Sequence, residues 1–147
     1  MTLDDWVRNG WLVEHRTSPQ EISELLGVAD RDLRDCDVSD LSEDWQLAIA
    51  HNAALLSATA ALAAAGYRAS KEAHHYRIIQ SLLHTIGAEA KLVAQLDAFR
   101  KKRNVGDYER AGLVSRTEAR EMVELARALR ESVAAWLQQN HPGLSVK

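Results

Sequence analysis

"LAIAHNAALLSATAALAAAG", residues 47–66, runs for twenty residues without a formal charge. That is the length of a bilayer-spanning helix. Its composition argues against a span. Alanine dominates, and His51, Asn52, Ser57 and Thr59 are spaced through it. Small residues let helices approach closely, and scattered polar groups need partners inside a protein. The stretch therefore reads as a buried helix of a bundle, capped by Ser42 and ended by Gly66. Trp45, Ala48, Ile49, Asn52, Leu55, Leu56, Thr59 and Leu62 form its expected stripe.

The neighbouring segments repeat the helical period. Downstream, "KEAHHYRIIQSLLHTI" follows Ser70 as N-cap and ends at Gly87. Its stripe is His75, Ile78, Ile79, Leu82, Leu83 and Ile86. A helix over roughly 88–104 carries Leu92, Val93, Leu96, Phe99 and Arg103 on one side. A last helix opens at Ser115, where Glu118 makes a capping box, and stops before Pro142. Its stripe is Met122, Val123, Ala126, Leu129, Val133, Trp136 and Leu137. Upstream, "SPQEISELLGVADRDLRD" begins with Ser18 as N-cap, Pro19 at the first helical position and Glu21 closing a capping box. "TLDDWVRNGWLVEH" reads as a short helix. No segment alternates with period two. The sequence thus predicts an all-α fold, an antiparallel four-helix up-down bundle over 42–141. Residues 1–41 form an acidic helical N-terminal extension, and 142–147 a tail. The polar linker 36–42 is the internal boundary.

A chain of 147 residues suits one domain and buries roughly 68–70% of its unfolded surface. The charge is uneven. Residues 1–46 hold twelve Asp/Glu and four Arg, a net of −8; residues 47–147 hold nine Asp/Glu and fourteen Lys/Arg, a net of +5. Mutual pairing of the two parts is one consequence; an anionic ligand for the basic part is the other. The lone cysteine, Cys36, lies between Asp35 and Asp37, where neighbouring anions disfavour a thiolate. One cysteine forms no internal disulfide, as in a reducing cytosol, and the acidic start "MTLDDWVRNG" is unlike an export signal. A cytoplasmic protein without membrane association is expected.

Metal chemistry finds little purchase. Glu72 and His75 are spaced as half of a diiron Glu-x-x-His pair, but no second copy exists. Adjacent His74 and His75 point about 100° apart on a helix. Phosphate-loop glycines, nucleophile elbows and zinc-finger spacings are absent. No cofactor or metal is expected.

"FRKKRNVGDYE", residues 99–109, is the remaining candidate. Cations in a last helical turn suit the dipole. Arg100 and Arg103 share a face, beside Asn104 and Tyr108 in the connection that follows. Two guanidinium groups near an amide and a phenol suit a phosphodiester oxygen. Leu92, Leu96, Phe99 and Arg103 step along one face, so Arg103 is expected to be partly buried and hydrogen-bonded, with Asp107 as counter-ion. Lys101 and Lys102 are expected in solvent.

Four features in order, "AIAHNAALLSATAALAAAGYR", "HHYRIIQSLLH", "FRKKRNVGDYE" and the closing amphipathic helix, resemble the HEPN superfamily of helical-bundle domains over about residues 42–140. The resemblance implies a dimer that juxtaposes two copies of a motif, Arg, four to six residues, then His. Such domains cut RNA without metal, and many are toxins or pair with a small nucleotidyltransferase. Arg103 and Asn104 match the motif, and Tyr108 stands at the His position. A phenol with a pKa near ~10 is a poor general base. The resemblance therefore assigns Arg103, Asn104 and Tyr108 to the catalytic position and Arg100, Lys102, His74 and Arg77 to binding. It implies first a dimeric, catalytically weak or inactive module that binds RNA or a nucleotide-bearing partner. A metal-independent endoribonuclease toxin is the second reading, with His74, His75 or His84 replacing the missing base. A purely structural interaction bundle is the third.

Overall fold

The structure is a computed structural model, and it describes residues 1–38, 40–106 and 114–145. The chain is mostly helical, with six α-helices and one small two-stranded sheet among the described residues. In chain order these are α1 (Leu3–Arg8), β1 (Leu12–Glu14), α2 (Pro19–Asp35), α3 (Glu43–Ala64), β2 (Tyr67–Ala69), α4 (His74–Ser81), α5 (Ala90–Gly106) and α6 (Arg116–Asn140).

The charge-free stretch becomes α3, the centre of the molecule. Helices α2, α4, α5 and α6 and strand β2 all pack against it. No residue from Leu47 to Ala64 is exposed, so the helix is buried on every side rather than along one stripe. The expected stripe is corrected accordingly. Ile49, Asn52, Leu56 and Thr59 are its least covered line, and Trp45 is 64% exposed. By length and composition α3 would cross a membrane, yet 78% of its most apolar window is buried inside the protein.

The N-terminal segment shares this core. Ile22, Leu26 and Ala29 of α2 and Trp6 of α1 are buried in the same cluster as Leu62 and Leu129. Asp32 of α2 accepts a 2.7 Å hydrogen bond from Asn52 of α3. Two ion pairs, Arg130–Asp30 and Arg127–Asp37, join α6 to the acidic α2 and the residues just after it. Mutual pairing thus absorbs part of the charge asymmetry. The segment is not wholly helical, however. Leu12–Glu14 forms β1 and pairs antiparallel with β2, Leu12 opposite Ala69 and Glu14 opposite Tyr67. The ladder is prolonged by His15 N–H donating to Gly66 O and Ser70 N–H to Trp11 O.

That ladder displaces the start of α4. Ser70 is occupied by β1, and the helix begins at His74 after Ala73, whose φ of 51° is left-handed. It ends at Ser81, short of the expected Gly87, and Leu82–Ile86 continue as turns. Caps elsewhere follow the sequence. Ser42 accepts from Trp45 N–H, and Ser115 and Glu118 form the full capping box of α6. At α2 only half of the expected box forms. Ser18 accepts from Glu21 N–H, while the Glu21 carboxylate accepts from Thr17 and pairs with His15. In the tail, Pro142–Leu144 makes a 3-10 turn and Leu144 packs on the core.

Candidate anion site between α4 and α5

The first turn of α4 and the last turns of α5 meet at a shallow cleft of about 370 Å³, lined by Ala73, His74, His75, Tyr76 and Arg100. Ala73 provides no side-chain cap, so the first N–H groups of α4 point outward without the partner an N-cap normally supplies. Such a helix start favours negative charge.

Arg100 lies 5.6 Å from the Tyr76 ring and donates at 2.7 Å to Asp97, whose carboxylate is 12% exposed. Lys101 is 70% exposed and stands 3.6 Å from the same carboxylate. Arg103 is half-buried, as its spacing predicts, and its Nη1 is buried with no hydrogen-bond partner among the described residues. Its charge reaches two histidines. His51, in the middle of α3, is 1% exposed; its Nε2 donates to Leu96 O at 3.2 Å, and its Nδ1 is buried without a partner among the described residues. Burial holds the His51 imidazole down to about 4, and the charges of Arg103, His75 and Arg100 push the same way. His75 is depressed too, first by partial burial, then by His74, Arg103 and Arg100. The histidines are therefore neutral at pH 7 beside two guanidinium groups.

The residues expected at the site divide. Arg100 and His74 line the cleft; Arg103 does not line it, though its charge acts on His75 and His51. Lys102 does not remain in solvent: it pairs with Glu118 of α6, the capping-box residue, and holds that carboxyl below its usual range. Arg77 is half-buried, 3.7 Å above the Trp11 ring, and its Nε is buried with no partner among the described residues. The backbone of Asn104 belongs to α5; its side chain, Asp107 and Tyr108 lie outside the described residues. His75, expected on the buried stripe, is exposed at the cleft because α4 begins only one residue earlier. His51 and Tyr76 were not singled out for the site. A histidine inside a charge-free alanine run was the available signal for His51. Among the described residues no group of three or more His, Cys, Asp or Glu side chains is placed to hold a metal ion.

Compared with family models, curated proteins and solved structures, the chain matches none.

Proposed function

We propose that the chain is a HEPN-like four-helix module that binds the phosphodiester backbone of RNA at the α4–α5 cleft, as a homodimer with little catalytic activity of its own. The observation that carries this reading is the buried Nη1 of Arg103, without a partner among the described residues, whose charge acts with that of Arg100 on two neutral histidines. A buried cationic donor without an acceptor is costly. A phosphate oxygen is the acceptor such a site suits, and the uncapped start of α4 adds donors of the same kind. Neutral histidines leave the guanidinium groups as the fixed charges. A short single-stranded RNA should bind with an affinity that falls linearly in log salt. Arg103→Ala should weaken it and reduce the salt slope by about 1. The measurement is fluorescence anisotropy across a salt series. Binding that is absent, or indifferent to both salt and Arg103→Ala, would rule the reading out.

One observation favours the endoribonuclease reading. His75 is solvent-accessible, neutral at pH 7 and within the field of Arg100 and Arg103, which suits a general base. If it serves as one, RNA is cleaved with or without chelator, and His75→Ala abolishes cleavage while leaving binding intact. Cleavage that survives His75→Ala would assign the base elsewhere; no cleavage at all leaves the binding module.

A further inference from the structure

Behind the cationic cleft lies a second hollow of about 190 Å³ between α2, α3, β2 and α4. Leu25, Leu62, Ala63 and Ile78 are part of its apolar lining, and Tyr67 and His74 are its aromatic residues. His74 lines both hollows, so the two share a wall. The volume is below the roughly 300–1,000 Å³ of drug-sized sites; it suits one planar ring system. Tyr67 is fixed by its hydroxyl, which donates to Asp4 at 2.5 Å. Glu21 stands at the mouth. Its Oε1 takes both protein contacts, Thr17 at 2.6 Å and His15 at 2.7 Å, and Oε2 has no donor among the described residues. Arg68 is exposed at the same mouth.

We propose that this cavity receives the unpaired base of a single-stranded RNA whose phosphate lies in the adjoining cleft, with the free oxygen of Glu21 accepting from the amine edge of the base. The inference rests on the phosphate reading above. An apolar lining that includes Tyr67 and His74 gives a base the stacking surface that sequence-tolerant readers of single strands use. The carboxylate discriminates. It repels a phosphate, so the backbone stays in the cationic cleft, and it rewards an exocyclic amine, so adenine, cytosine and guanine gain more from it than uracil, whose one donor on that edge is N3–H.

The test compares a short RNA with an abasic strand of equal length and charge. The intact RNA should bind roughly tenfold more tightly, the range that stacking one base supplies. Ala63→Met, which fills the cavity, should erase that excess and leave abasic affinity unchanged. Glu21→Gln, at the half-exposed rim, should lower affinity for the oligomers of adenine, cytosine and guanine more than that for uracil, and it covers the case in which Ala63→Met does not fold. Equal affinity of wild-type protein for intact and abasic strands would overturn the base cavity while leaving the phosphate site standing. Failure of both strands to bind would remove the phosphate site, and the cavity proposal with it.

Discussion

At the scale of single residues, His51 is the group whose titration the fold controls most strongly. Its imidazole is held at about 4 in the folded protein, against an ordinary 6.5. Between those values the unfolded chain binds more protons than the folded one, so stability falls as pH drops from 6.5 to 4. The contribution is whole above pH 6.5 and is on the order of 3 kcal/mol. Thermal melting followed from pH 7 to pH 4 should show this loss. His51→Gln, whose amide can still donate to Leu96 O, should reduce it; what remains belongs to His75, also held low, below pH 6.5 and, near and below pH 4.5, to carboxyls held low by their partners, Glu21 and Glu118. An unchanged slope in the variant would mean that His51 is not the titrating group. Arg103 was legible in the sequence because it continues the spacing of Leu92, Leu96 and Phe99, which fixes its face. The pairing of Lys102 was not, since Glu118 lies on another helix and no local spacing brings it near.

At the scale of elements, the β1–β2 ladder explains most of what sequence patterning missed. A three-residue strand is too short for alternation to stand out against helical periodicity. Its pairing consumes Ser70, and α4 consequently starts at an uncapped, left-handed Ala73 rather than at a serine cap. Helices α2 and α6 were legible because serine cap and helical period agreed in each. Arg77 shows the consequence of the ladder for function. Expected as a binding residue, it is stacked over Trp11, the residue that leads into β1. A guanidinium partly withdrawn from water on an indole face contributes up to about 2 kcal/mol. Arg77→Ala should therefore lower stability by about 1–2 kcal/mol in a denaturant titration, with RNA affinity per folded molecule unchanged. A double-mutant cycle with Trp11→Ala should return a coupling near 1 kcal/mol. Loss of RNA affinity at unchanged stability would instead restore Arg77 to the binding surface.

At the scale of the whole molecule, the alanine-rich helix bears on how two copies meet. In the sequence, its small residues suggest a surface for close approach between subunits. In the structure that surface is already occupied, because α2 and α6 pack along α3 within one chain and Ala50, Ala53, Ala58, Ala60 and Ala61 are fully buried. If the homodimer forms, α3 is therefore not its interface. Sedimentation at high micromolar concentration should show the dimer. Ala60→Leu should then overpack the subunit core, costing about 1–3 kcal/mol in stability, while the dissociation constant of the folded dimer stays as in the wild type. The two measurements separate the arguments. Monomer alone at high micromolar concentration would remove the dimer from the proposed function. A dimer that Ala60→Leu splits without loss of subunit stability would place α3 at the interface after all, and would require the helices around it to part on association.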